Sequence, residues 1–105
     1  MREEDLMQRG DTLARLCAME NVPENQLGMV LAHLKRHRRP EATRELLAEL
    51  PASPFGRRTG STRSQLQALE RHVRSALGGV ASWEDAAVVV GWAKRLWGVY
   101  KRRTH

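Results

Sequence analysis

The stretch SWEDAAVVVGWAKRLWGVYKRR, Ser82 to Arg103, decides between helical and extended structure for this chain. It contains a run of three β-branched residues, Val88 to Val90, which alone would favour a strand. The run lies inside a longer pattern whose apolar residues recur every three or four positions: Ala86, Val89, Ala93, Leu96 and Tyr100. Ser82 and Asp85 have the spacing of a capping box with a short acidic arm. The stretch therefore predicts one long helix.

The same helical spacing extends through the rest of the chain. Pro23 and Pro40 are suited to helix starts, and Gly78-Gly79 is suited to a helix end. The predicted helices cover residues 3–20, 23–39, 40–50, 61–77 and 82–102. The predicted fold class is all-α, a single-domain bundle of about five helices that spans residues 1–105.

Composition excludes several protein classes. The chain has 105 residues, of which 41% are hydrophobic and 29% charged, and this suits one small globular domain. No run approaches the ~18 apolar residues of a membrane span. The N-terminus has acidic residues and no apolar segment, so we expect no secretory signal. The single cysteine, Cys17, lies in an apolar stripe and is predicted to be a buried, inert thiol. These features predict a cytoplasmic protein.

Positive charge is concentrated in the second half of the chain. Residues 51–105 contain ten Lys and Arg residues against three acidic ones, a net charge of +7 in a chain whose total is +6. This asymmetry favours a polyanionic partner, nucleic acid first. A solvated basic surface without such a partner is the alternative.

The segment PFGRRTGSTRSQ, Pro54 to Gln65, has the composition of a phosphate-binding loop without its spacing. A P-loop requires four residues between its glycines and a Lys after the second, whereas Gly56 and Gly60 enclose three residues and Ser61 follows. Arg57 and Arg58 before hydroxyl residues also fit a kinase site. The remaining interpretations are an anion site at a helix N-terminus capped by Ser61, or an ordinary solvated loop.

Patterns for catalysis and metal binding are incomplete. His33 and His37 are four residues apart, but Leu34 stands where a zincin has its Glu, and the neighbours are basic. No nucleophile-elbow pattern accompanies the Ser, His and Asp residues. We therefore predict no enzyme activity, no metal and no cofactor.

The C-terminal segment WAKRLWGVYKRR favours nucleic-acid binding. Trp97 is flanked at helical spacing by Lys94 and Lys101, so its ring could stack on a base while the ammonium groups meet phosphates. The alternative is a half-buried Trp covered by lysine stems. The predicted nucleic-acid-binding residues, which could line one groove, are Lys35, Arg36, Arg38, Arg39, Arg57, Arg58, Arg63, Arg71, Arg74, Lys94, Arg95, Trp97, Lys101, Arg102 and Arg103.

Two segments, STRSQLQALERHVRSAL and VVVGWAKRLWGVYKRR, resemble the small helical subunit of class 1 CRISPR effector complexes, particularly type III. The first resembles that family's TSQ-R-hydrophobic segment, and the second its closing helix. The resemblance covers residues 61–103 and depends on Ser61, Thr62, Ser64, Gln65, Leu66, Leu69, Val73, Trp92, Leu96, Tyr100 and Lys101. The family's Arg after the Ser-Gln pair is replaced by Leu66-Gln67.

The resemblance implies a non-catalytic protein whose copies stack head to tail beside other effector subunits. Such a protein would hold crRNA, target RNA or single-stranded DNA by the backbone. Two other functions remain open from the sequence. One is a protein–protein adaptor with a basic surface, and the other is a small DNA-binding regulator.

Overall fold

The computed structural model describes residues 2–49 and 63–103. Within them the chain forms five helices and no strand: α1 Glu3–Met19, α2 Glu24–His37, α3 Pro40–Glu49, α4 Arg63–Ala76 and α5 Trp83–Arg103. The predicted all-α single-domain bundle is confirmed. At every end inside the described residues, the predicted bounds agree with the observed ones to within two residues.

Two helix ends illustrate how local sequence sets these bounds. Ser82 caps α5, because its Oγ accepts a hydrogen bond from the Asp85 backbone N–H at 3.1 Å. Helix α2 ends at His37, two residues before the predicted end at residue 39. Arg38 adopts the left-handed conformation with φ 55°, and its N–H donates to the Leu34 carbonyl. Pro40 then disfavours helical backbone at Arg39.

The described helices pack as a ring in which each helix makes its main contacts with two others. α5 packs between α1 and α2, α3 contacts α2, and α4 closes the ring between α3 and α1. The shortest dimension of the bundle is 18 Å. That thickness suits two layers of helices whose axes lie about 8–10 Å apart.

Specific contacts fix the helix directions. α1 and α5 run in the same direction, because Gly10 lies against Val89 whereas Val22, just after α1, meets Trp97. α2 runs opposite to α5, because Gly28 lies beside Lys94 and Arg38 lies over Trp83. The start of α5 and the end of α2 therefore share one end of the bundle.

The core is apolar and continuous through the ring. Leu13, Leu27, Leu34 and Leu69 are fully buried, and each contributes about 1.5–3 kcal/mol by burial. Cys17 is buried among them as predicted, and burial raises the pKa of its thiol to about 12. The thiol is therefore protonated and unreactive at neutral pH. Among the described helices, none has both the length and the apolar composition of a membrane span.

Candidate nucleic-acid interface

Four predicted residues form a basic group at the end of α2, here called the α2-end cluster: Lys35, Arg36, Arg38 and Arg39. All four are exposed. Arg39 pairs with Glu45 at 3.3 Å, and the Arg38 guanidinium lies 5.9 Å from the centroid of the Trp83 ring. Lys35 and Arg36 have no acidic partner among the described residues. The cluster therefore carries uncompensated positive charge beside the start of α5.

A second group lies along α5 and is here called the α5 row: Lys94, Arg95, Lys101 and Arg102. Residues seven apart share a face of a helix, so these side chains form two lysine and arginine pairs about 10.5 Å apart along the axis. Arg95 lies 5.8 Å from the centroid of the Trp92 ring. Lys101 Nζ donates to Asn21 Oδ1 at 2.5 Å, and Arg102 Nε donates to the Gly98 carbonyl at 3.1 Å.

The predicted arginines of α4 are more strongly neutralised. Arg71 contacts both carboxylate oxygens of Glu20 at 3.2 Å, and Arg74 pairs with Glu70 at 2.6 Å on the same helix. Arg63, the first described residue of α4, is exposed. A phosphate would have to compete with a carboxylate at Arg71 and at Arg74, so α4 offers a weaker positive field.

Trp97 is held inside the protein by a specific hydrogen bond. Its indole N–H donates to the Val22 carbonyl at 2.7 Å, and its ring packs against the apolar core. This placement corresponds to the half-buried alternative more closely than to an open stacking platform. Stacking of a base on Trp97 stays a prediction.

The structure separates the α2-end cluster from the α5 row, so the predicted residues do not form one compact site. Arg38 lies over Trp83 at the start of α5, and Lys101 lies 18 residues after Trp83 on the same helix. At 1.5 Å per residue this corresponds to about 27 Å, with Lys94 and Arg95 in between. A single strand could contact both groups only by following α5 along most of its length.

Some predicted residues fall on the part of the chain that the structure leaves undescribed. Arg57, Arg58 and the Ser61 cap lie outside the described residues, as does the side chain of Arg103. The anion site predicted at the start of α4 stays a prediction.

Sequence reasoning missed the organising role of Asn21. This residue has φ 59°, a left-handed conformation that Asn tolerates better than most residues. Its carbonyl accepts from Gln65 Nε2 at 2.9 Å, and its side chain accepts from Lys101. Asn21 thus joins the starts or ends of three helices. The sequence signal for this role was an Asn that directly follows the apolar stripe of α1 and stands two residues before Pro23.

His72 and Ser75 both line a groove between α1 and α4. This groove has a volume of about 450 Å³, and the Nε2 atom of His72 contacts the Glu20 carboxylate. No hydrogen bond joins His72 to Ser75 in this part of the chain, so no nucleophile–base pair is formed.

The His33–His37 pair resembles a partial metal site. The two ring centroids are 4.2 Å apart. Burial lowers the pKa of His33, and the nearby His37 and Arg36 lower it further. Within residues 2–49 and 63–103, no group of three or more His, Cys, Asp or Glu side chains could hold a metal ion.

Glu20 couples α1 to α4 and gives a testable pH dependence. The hydrogen bond from His72 lowers the pKa of the Glu20 carboxyl, and the charges of His72 and Arg71 act in the same direction. A lowered folded-state pKa stabilises the protein above the unfolded pKa, and this stabilisation is lost as the pH falls below about 4.

Glu20→Gln should lower the free energy of unfolding at pH 7 by about 1 kcal/mol or less, because the pair is partly exposed. Urea unfolding at pH 7 and pH 3 should show a smaller pH dependence for the variant than for the wild type. Equal pH dependence would contradict the role assigned to Glu20.

Comparisons with known proteins give no family for this chain. No protein-family model, curated protein or solved structure matches the chain. Chemically, the described residues offer a set of exposed and partly buried cations with few carboxylate partners, which lie along α5 and at the end of α2.

Proposed function

We propose that this chain is a non-catalytic helical subunit that binds the sugar–phosphate backbone of single-stranded RNA or DNA. The observation that carries the proposal is the exposure of Lys35, Arg36 and Arg95 without an acidic partner among the described residues. Exposed, uncompensated cations attract phosphates without reading base sequence. Arg38, which lies beside the start of α5, and Arg102, near the end of α5, add positive charge at the two ends of this helix.

The distribution of charge argues against reading of duplex sequence. A recognition helix usually presents polar or basic residues at its N-terminus to the major groove. The first turn of α5 instead carries Glu84 and Asp85, which phosphates would repel. The remaining cations are better suited to contacts with the backbone of a single nucleic-acid strand.

The more specific proposal, a small subunit of an RNA-guided CRISPR effector complex, is supported by the resemblance over residues 61–103. Charge placement is compatible with head-to-tail stacking of copies. The acidic start of α1, Glu3 to Asp5, and the basic end of α5 lie at opposite ends of two helices that run in the same direction. Such a heterologous contact can repeat along a filament. Other effector-subunit genes beside this one would support the proposal, and their absence would count against it.

The general proposal is tested by the salt dependence of binding. A fluorescein-labelled random 12-nucleotide RNA should bind, as measured by fluorescence polarisation, with affinity that falls as NaCl rises. For about four phosphate contacts the logarithmic slope should be about −3, which is roughly a fiftyfold loss of affinity between 50 and 200 mM.

Two alternative functions give different results in the same assay. An adaptor for an acidic protein should show no binding at moderate salt, and this result would overturn the proposal. A DNA-binding regulator should prefer one duplex sequence over random competitors by about a thousandfold or more.

A further inference from the structure

Gly98 lies in the interior of α5, at a position where contacts with the other described residues do not require a glycine. It lies five residues before the end of α5 at Arg103. Glycine in a helix interior is less favourable than alanine, because the backbone loses more conformational freedom on folding. Within the described residues, a Cβ placed on Gly98 would meet no atom within 4 Å. Neither packing nor backbone conformation explains the glycine.

Other glycines of the helices have evident structural neighbours. A Cβ on Gly10 would lie 2.8 Å from the Val89 carbonyl, and a Cβ on Gly91 would touch Leu31 Cδ2 at 3.9 Å. Gly10 is required by a close helix contact, and Gly91 faces α2. Gly98 differs from both because no atom of the described residues lies within 4 Å of a Cβ placed on it.

Cations border this open position. Arg95 precedes Gly98 by three residues and Arg102 follows it by four, which places all three on neighbouring parts of one helix surface. Both arginines are exposed. Arg102 Nε donates to the Gly98 carbonyl, so its guanidinium is held next to the glycine. Arg95 lies over the Trp92 ring.

We infer that Gly98 is a close-approach point at which a single nucleic-acid strand lies directly against α5, with its phosphates on Arg95 and Arg102. This inference rests on the proposed function and assigns it to one surface. The two arginines are about 10.5 Å apart along the helix, which corresponds to about three phosphates of a stacked strand. A strand between these contacts passes next to residue 98, and a missing side chain lets it approach closely. Charge complementarity selects the phosphate backbone as the occupant.

The first test separates binding from stability in one substitution. Gly98→Ala should raise the melting temperature by about 4 °C, since the added methyl group improves helix propensity and meets no atom. The same variant should bind the labelled 12-nucleotide RNA about fivefold to tenfold more weakly at 100 mM NaCl, as the loss of about one hydrogen bond would produce. Gly91→Ala is the matched control and should retain wild-type affinity.

The second test measures contact directly. The chain has one cysteine, Cys17, whose burial keeps it unreactive, so an engineered surface cysteine can be alkylated selectively. Iodoacetamide should modify Gly98→Cys about tenfold more slowly when the 12-nucleotide RNA is saturating. Thr12→Cys, exposed on α1 in the groove toward α4 and away from the α5 row, should be modified at an unchanged rate.

The outcomes distinguish this inference from the proposed function. Wild-type RNA binding with unchanged affinity of Gly98→Ala and no protection of Gly98→Cys would overturn the close-approach point and leave the function standing. Absence of wild-type binding would overturn both. Protection of Gly98→Cys by polyglutamate as strong as that by RNA would overturn the assignment of a nucleic-acid partner.

Discussion

Replacement of Gly10 by alanine should lower the free energy of unfolding by about 2–3 kcal/mol, although helix propensity alone would raise it by about 1 kcal/mol. Gly10 is buried in the middle of α1. An alanine Cβ would lie 2.8 Å from the Val89 carbonyl oxygen and 2.9 Å from Trp92 Cβ. Both atoms belong to, or directly adjoin, the α5 backbone, so rotation of a side chain cannot relieve the overlap. The two helices must separate instead.

Urea unfolding of Gly10→Ala and Gly98→Ala provides a matched comparison. Both variants add one methyl group to a helix-interior glycine, and only their surroundings differ. The Gly10 variant should shift the midpoint to lower urea, and the Gly98 variant should shift it to higher urea. A Gly10 variant as stable as the wild type would show that α1 and α5 do not approach as closely as the structure places them.

Gly10 also marks the limit of sequence reasoning for this fold. Its position in an otherwise periodic helix predicts a weak point, because propensity describes one helix at a time. The reason for the glycine is a contact with Val89 and Trp92, about 80 residues later in the chain. Sequence spacing does not encode which helices cross, so the five helices were predictable and their ring arrangement was not.

The candidate site shows the same division. The basic residues at the end of α2 and along α5 follow directly from composition and helical spacing. Spacing could not show that Arg71 is paired with Glu20, or that the Trp97 indole bonds to Val22, since each partner lies on another part of the chain. The separation of the α2-end cluster from the α5 row likewise depends on the antiparallel contact of α2 with α5.

Reversing the charges of the α5 row has the largest expected effect on binding. Arg95→Glu with Arg102→Glu should weaken binding of the 12-nucleotide RNA at 100 mM NaCl by about a hundredfold. Two phosphate contacts of about 1.4 kcal/mol each account for this loss, before the added repulsion is considered. The logarithmic salt slope should become about 1.4 units shallower. Arg15→Glu with Arg44→Glu makes the same change of net charge at exposed positions on α1 and α3 and should weaken binding much less.

Oligonucleotide length then shows whether one strand uses both basic groups. A stacked strand of four nucleotides spans about 14 Å, whereas Trp83, beside the α2-end cluster, and Arg95, in the α5 row, are about 18 Å apart along α5. Lys35→Glu with Arg36→Glu should therefore weaken the 12-nucleotide RNA about tenfold and leave the four-nucleotide RNA unaffected. The α5-row variant should weaken both. An α2-end variant that weakens the two RNAs equally would indicate that short strands bind at that cluster, and the path along α5 would have to be abandoned.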